Sequence, residues 1–199
     1  SYLYDVNNGN GTVFVVSLVS DPYNLTSDEA GIMVKGPNAL PEYPYGSMNK
    51  GANFWMDWER EAHVEVFNPD GSTMISQECG IKLHGQYSRA EAQKAFKVIA
   101  RSKYGANRFE AAIFSHRPYT EYQSFLLRSS SEDGYKTRFR DALLQRLAEG
   151  GCVDYQEPGD VPRCSTFHLR KDPRQVVKAF LAKGSVVRMC VCVCVCVCV

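Results

Sequence analysis

The stretch from residue 62 to residue 78 limits the possible folds more than any other part of the chain. Apolar and polar residues alternate along residues 62–67, and a second β-forming segment follows at residues 72–78. The four residues between them are Asn68-Pro69-Asp70-Gly71, a combination that is typical of tight turns. Two strands joined by so short a connection pair antiparallel. The sequence therefore predicts a β-hairpin and, with it, an antiparallel sheet.

Other segments extend this prediction to an α+β fold. β-forming runs bounded by turn residues predict further strands at residues 13–19, 32–34, 79–84, 95–100 and 124–128. Residues 136–149 carry apolar side chains at helical spacing and stop at Gly150-Gly151, so they predict one helix late in the chain. Strands first and a helix late indicate a mostly antiparallel α+β architecture.

The composition of the chain changes at Gln156. Residues 1–156 hold 16 Lys and Arg against 19 Asp and Glu, whereas residues 157–199 hold 7 against 3. Five of the eight cysteines stand in the last ten residues, where cysteine and valine alternate strictly. A TG dinucleotide repeat encodes such a low-complexity, β-forming segment in one reading frame. We therefore divide the chain into lead-in strands with a loop (1–60), a central part (61–156), and an aberrant basic tail with a Cys-Val repeat.

Composition also excludes several functional classes. With 44% hydrophobic residues and a net charge of +1, the chain does not have the composition of a disordered protein. No run of about 18 apolar residues predicts a membrane span. The excess of acids up to residue 156 and the lack of a recognisable motif argue against a nucleic-acid partner. Dispersed histidines, and cysteines at i, i+2 spacing along a strand, do not suit a tetrahedral metal site.

One segment concentrates positive charge. Residues 82–108 contain seven Lys and Arg against a single acid, Glu91. They comprise the end of a predicted strand, a loop with Gly85 and Ser88, and Lys94 just before the next strand. Such a loop can hold phosphates, because backbone N–H groups approach closely where glycine lacks a Cβ and a lysine neutralises the charge. A solvated basic face on an edge strand would have the same composition, so both interpretations stay open.

The order of short motifs across residues 12–156 resembles the CotH kinase family, the spore coat protein H-like proteins. These motifs are Gly-Ile-Lys-Leu-His-Gly-x-x-Ser-Arg at 80–89, Gln-Lys at 93–94, Leu-Leu-Arg at 126–128 and Arg-Asp-Ala at 140–142. The resemblance implies an atypical protein kinase fold that binds ATP with Mg²⁺. It also implies phosphorylation of Ser or Thr in partner proteins, such as spore coat or cell-surface components.

The same resemblance implies a set of cofactor-binding residues. Gly85, Ser88, Arg89 and Lys94 would face the nucleotide phosphates, and Lys94 is the foremost candidate. Lys97 is three residues further on, which is the opposite face of a regular strand, so we expect it to be solvent-facing or structural.

Two other residues match family motifs without the same expectation of ligand contact. Arg128 ends a predicted strand, and Asp141 lies in the first turns of the predicted helix, where a carboxylate favours the helix dipole. We expect both to have structural roles.

The chain departs from the family after residue 156. A strand resembling Arg-Pro-x-Val-x-x-x-Asn-Gly-x-Tyr-Trp-Gly, followed by acidic residues that serve as catalytic base and metal ligands, is expected there but is not found in residues 157–199. Phosphoryl transfer requires metal-holding carboxylates opposite the phosphate site. The sequence thus predicts a truncated kinase part that carries a phosphate-binding loop, no catalytic residue and no metal ligand, and is inactive as written.

A different functional class fits the aromatic residues of the early loop. A secreted or surface β-rich module could use its Tyr- and Trp-rich residues 36–58 to bind a carbohydrate or a protein. Trp55 and Trp58, with Phe54, could stack on a sugar ring, although aromatics so close together more often pack against a neighbouring sheet. Substituting Lys94 by Ala is expected to abolish nucleotide binding in the kinase interpretation and to leave sugar or partner binding intact in this one.

Overall fold

The computed structural model describes residues 13–41, 48–68, 70–113, 119–129, 165–168, 180–181 and 187–194. Within these ranges one short α-helix, α1, spans Pro22–Thr26, and 3-10 helices span Asn53–Trp55 and Tyr87–Arg89. The strands of the described ranges are β1 (Val13–Ser20), β2 (Arg60–Phe67), β3 (Thr73–His84), β4 (Ala95–Ile99), β5 (Phe109–Glu110), β6 (Glu121–Tyr122), β7 (Ser124–Arg128), β8 (Ser165–His168), β9 (Phe180–Leu181) and β10 (Val187–Cys194).

Eight of these strands form one sheet in the order β8-β7-β4-β3-β2-β1-β10-β9, and β5 pairs with β6 separately. Neighbouring strands run antiparallel except for β7 and β8, which are parallel. The prediction of a mostly antiparallel β architecture is therefore confirmed. The predicted helix at 136–149 and its Asp141 lie outside the described residues. Strands of all three predicted segments, 1–60, 61–156 and 157–199, join this sheet.

The predicted hairpin is confirmed as the pair β2 and β3. Its turn is closed by a hydrogen bond from the Asn68 N–H to the Ser72 carbonyl (2.8 Å), and Gly71 adopts a φ of 84°. The separate strand predicted at 79–84 is wrong, because β3 continues without a break from Thr73 to His84. Gly80 does not interrupt it: a Cβ there would lie 2.7 Å from Glu59 Oε1, so this glycine admits a neighbouring side chain rather than a turn.

The strand predicted at 32–34 is also wrong. The Ile32 N–H donates to the Asn24 carbonyl and the Met33 N–H to the Leu25 carbonyl, both at 3.0 Å. These two N–H groups therefore donate to carbonyls of α1 and not to a neighbouring strand. The sequence analysis did not predict α1. Asp21 caps α1 by accepting a hydrogen bond from the Tyr23 N–H (2.8 Å).

The two faces of the sheet differ in character. One face carries the core, where side chains such as Leu18, Val64 and Ile81 are fully buried. Leu25, Ile32 and Phe54 belong to the same core cluster, so α1 and the following loops pack over this face. Because strand side chains alternate, the residues between those core positions point to the opposite face.

The tail contributes strands as well. Val187–Cys194, which contains part of the Cys-Val repeat, pairs antiparallel with β1 from Val13↔Cys194 to Ser20↔Val187. Its β-forming composition therefore does form a strand. No helix of the described ranges is long and apolar enough to cross a membrane.

Candidate anion-binding site

The loop between β3 and β4 begins with a glycine that the backbone requires. Gly85 has a φ of 105°, and a Cβ at this position would overlap the Ser88 hydroxyl. The 3-10 helix Tyr87–Arg89 follows at once, and the Arg89 side chain folds back, donating from Nε to the Gly85 carbonyl (2.7 Å). A second Arg89 hydrogen bond reaches the Trp55 carbonyl at 3.4 Å. The loop is therefore held against the segment before β2.

Lys94 lies on the core side of this loop. The residue is only 7% exposed, its ammonium donates to the Arg89 carbonyl, and the nitrogen is 4.6 Å from the centroid of the Phe54 ring. Burial lowers the pKa of Lys94 to about 8, against the opposing effect of the Glu91 carboxylate. The ammonium thus has an intramolecular partner that fixes the loop, and its predicted contact with a phosphate stays a prediction.

Carboxylates from outside residues 82–108 neutralise many of that segment's cations. The ion pairs are Lys82 Nζ with Asp57 Oδ1 (2.8 Å), Arg101 Nε with Glu59 Oε2 (2.8 Å), Lys103 Nζ with Glu59 Oε1 (3.0 Å) and Arg108 with Glu121 Oε2 (3.4 Å). Among the described residues, no carboxylate forms an ion pair with Arg89 or Lys97. The segment is therefore not a uniformly solvated basic face, because its uncompensated charge is concentrated near the β3–β4 loop.

The pairing register of β3 and β4 places basic side chains next to one another. Lys82 is the direct cross-strand partner of Lys97, and Lys97 is in turn opposite Leu126 of β7. Side-chain alternation puts His84 and Arg128, two residues further along their strands, on the same face. We call Lys82, Arg89, Lys97 and Arg128, which surround His84, the cationic cluster.

The pKa of His84 responds to the positive charge of this cluster. Its imidazole is half-buried, and burial lowers its pKa below the ordinary value. All four members of the cationic cluster lower the pKa of His84 further. The lowered pKa favours the neutral imidazole of His84 at pH 7.

The carboxylate of Asp57 pairs with a member of the cationic cluster. Asp57 follows the 3-10 helix Asn53–Trp55 and pairs with Lys82, and its side chain is 71% exposed. The hydrogen bond from Lys82 holds the pKa of Asp57 below its ordinary value, and the charges of Lys82, Arg89 and Lys97 act in the same direction. Among the described residues there is no group of three or more His, Cys, Asp or Glu that could bind a metal ion alone.

The four cofactor-binding residues predicted from the sequence therefore lie in different places around the loop. Arg89 belongs to the cationic cluster, whereas Gly85 and Ser88 shape the loop beside it and Lys94 anchors that loop from the core side. Lys97, expected to be solvent-facing or structural, is half-buried on the face opposite the core, directly across from Lys82. The register of the β3–β4 pair is the signal that would have identified it, because only this register sets Lys97 opposite Lys82.

A second polar group on the sheet has the connectivity of a Ser-His-Glu triad but not its electrostatics. His63 Nδ1 is 2.8 Å from Glu78 Oε1, and His63 Nε2 is 3.1 Å from the Ser76 hydroxyl. Glu65 is the direct cross-strand partner of Ser76. If Ser76 attacked a carbonyl, the resulting oxyanion would form beside the Glu65 carboxylate. Stabilising that transition state requires hydrogen-bond donors at this position, not a negative charge. The group therefore does not support acyl transfer.

Of the aromatic residues of the early loop, Phe54, Trp55 and Trp58 contact the core, whereas Tyr43 and Tyr45 lie outside the described residues. Trp55 packs edge-on against Phe54 with 5.1 Å between ring centroids, and its indole N–H donates to the Met48 carbonyl at 2.8 Å. Trp58 also packs against the core, and the Arg60 guanidinium lies 4.7 Å from its ring centroid. The expectation that these aromatics pack against the sheet is confirmed.

No known protein-family model, no curated protein and no solved structure matches this chain significantly. The resemblance to CotH kinases therefore rests on the motifs in the sequence alone.

Proposed function

We propose that this chain binds the phosphate groups of a nucleotide at the cationic cluster, as the phosphate-binding part of a CotH-like protein kinase. The observation that carries the proposal is the cross-strand register, which places Lys82, Lys97 and Arg128 on the same face as His84, with Arg89 in the adjoining loop. The motif run 80–89, from which the resemblance was drawn, supplies two of these four cations and His84 itself.

Electrostatics supports an anion as the ligand. Like charges directly opposite each other on a β-ladder repel, and Lys82 is directly opposite Lys97. Asp57 pairs with Lys82, and no carboxylate of the described residues pairs with Lys97. An anion bound between the two ammonium groups would relieve that repulsion. Phosphates are the best-matched anions, since Arg and Lys bind them through charge-assisted hydrogen bonds.

The donor set fits the phosphates of ATP. Lys82, Lys97 and Arg89 would hold them, and Gly85 leaves room for the close approach of backbone. ATP supplies the transferable phosphoryl group when it is bound. Mg²⁺ usually reaches such sites on the phosphates themselves, with only one or two protein carboxylates. Phosphorylation of a spore coat or surface protein would require further residues beyond this site.

Calorimetric titration of the full chain with ATP tests the proposal. Replacing Lys97 or Lys82 by Ala should weaken binding about 10- to 150-fold, since a hydrogen bond to a charged group contributes about 1.5–3 kcal/mol. Lys103→Ala is the matched control, because it removes the same charge from a lysine paired with Glu59 outside the cluster. Equal weakening by Lys103→Ala and Lys97→Ala would contradict a localised site.

The same titration separates the alternative binding module. An oligosaccharide that binds while ATP does not would favour a carbohydrate-binding function. The contacts of Trp55 and Trp58 with the core weigh against it, because less of each ring is available for stacking.

A further inference from the structure

We infer that β10 can shift along β1 in steps of two residues, so that this part of the sheet has more than one stable register. The shift is a conformational switch, because it moves β9 relative to the rest of the sheet. The cationic cluster plays no part in this movement.

The ladder between β1 and β10 is long and regular. It pairs all eight residues of each strand, from Val13↔Cys194 to Ser20↔Val187. β1 contains no charged residue, no glycine and no proline that would mark one position along the strand. Another eight-residue segment of β-forming, uncharged residues could therefore form the same ladder with β1.

The sequence of β10 continues as a repeat whose period equals that of a strand. Cysteine and valine alternate from Cys190 to Val199, which is beyond the last paired residue, Cys194. A shift of two residues again puts a cysteine opposite Ser17 and a valine opposite Val16, whereas a shift of one residue exchanges the two faces of the strand. Registers that differ by two residues are thus nearly equivalent, and those that differ by one are not.

The changes at the end of the ladder also favour the shift. In the observed register, Arg188 and Met189, which precede the repeat, are opposite Val19 and Leu18. After a shift of two residues, a cysteine and a valine of the repeat take these two places. β-Branched valine suits a strand better than methionine does, and the charged residue leaves the ladder.

The short ladder between β9 and β10 opposes the shift. It consists of two pairs, Val187↔Leu181 and Arg188↔Phe180. A shift of two residues carries Val187 and Arg188 past the end of β1, so β9 must move with them or separate from β10. The position of β9 therefore depends on the register of β10.

Disulfide trapping in the full chain tests the inference. Ser17→Cys places a thiol opposite Cys190 in the observed register and opposite Cys192 after the shift. Directly opposite residues of an antiparallel pair have Cα atoms about 4.5–5.5 Å apart, which is within the range that a disulfide spans. The substitution is conservative, because the Ser17 hydroxyl is buried and has no hydrogen-bond partner among the described residues.

Each test chain carries Ser17→Cys and keeps either Cys190 or Cys192, and the other cysteines except the buried Cys79 are replaced by Ser. The matched control keeps neither and carries Val191→Cys, which would meet the new thiol only after a shift of one residue. Oxidised glutathione accepts the electrons of the two thiols, and mass mapping of the monomer locates the disulfide.

Both test chains should form the intramolecular disulfide, and the control should lose it. A disulfide with Cys190 alone would show a fixed register and overturn the inference. Disulfides in all three chains would show random contact of a frayed strand and would overturn it as well. A chain that keeps Cys190 and forms no disulfide would contradict the ladder on which the inference depends.

Discussion

Replacing Lys94 by Met should remove a pH dependence of stability that the buried ammonium creates. Lys94 is 7% exposed, and burial lowers its pKa from the ordinary 10.5 to about 8. The unfolded chain therefore keeps this proton up to about pH 10.5, whereas the folded chain loses it near pH 8. Between these values the unfolded state binds more protons, so the contribution of Lys94 to the free energy of unfolding rises with pH.

The size of the effect follows from the same pKa values. Each pKa unit corresponds to about 1.4 kcal/mol, so a decrease from 10.5 to about 8 sets a ceiling of about 3 kcal/mol. Most of this should appear between pH 8 and pH 10. Below pH 8 the ammonium is charged in both states and the contribution of Lys94 is constant.

Urea denaturation of the wild-type chain and of Lys94→Met, from pH 7 to pH 10, measures this contribution. Cysteine thiols of the unfolded chain ionise in the same range and lower stability, but they are common to both proteins, so the difference between the two curves isolates Lys94. We expect that difference to change in favour of the wild-type chain by up to about 3 kcal/mol. A difference that stays constant over this range would refute the buried position of the ammonium.

Three further predictions concern other parts of the fold. Gly71→Ala should lower the free energy of unfolding by about 1 kcal/mol, because the φ of 84° is unfavourable for alanine although no atom lies within 4 Å of the new Cβ. Gly85→Ala should cost more, because its Cβ also overlaps the Ser88 side chain. In a double-mutant cycle, Ser88→Ala should recover that additional cost. Leu18→Ala should destabilise the chain by about 2–5 kcal/mol in urea denaturation, since Leu18 is fully buried between strands; a cost below 1 kcal/mol would contradict that burial. Burial raises the pKa of the Cys79 thiol, so mass-mapped alkylation of the folded chain should leave Cys79 unmodified until urea is added, and rapid modification without urea would contradict the core position.

The parts of the fold that the sequence predicted are those with local signals. Alternation and turn chemistry located the β2–β3 hairpin, and short apolar runs located β1, β4 and β7. Errors arose where a distant contact decides the structure. The sequence predicted two strands that meet between Glu78 and Cys79, but one long strand continues through Gly80, where Glu59 and Tyr104 pack against the bare backbone.

The candidate site illustrates the same limit. Composition alone located the basic segment 82–108, because seven cations against one acid form a local signal. It could not tell which cations are neutralised, since the partners Asp57, Glu59 and Glu121 lie outside that segment. It also could not show that Lys94 anchors the loop from the core side while Lys97 lies opposite Lys82, because these positions depend on the cross-strand register and on the packing of the loop.

The most direct test of the central claim is the pKa of His84, measured by NMR with and without ATP. Burial and then the four cations of the cluster hold this pKa below its ordinary value, so a bound polyphosphate should compensate the cations and raise it. His63, which pairs with Glu78 elsewhere on the sheet, is the internal control, and its resonances should stay in place. A rise confined to His84 is the predicted result. A His84 pKa that does not change at saturating ATP would contradict binding at the cationic cluster.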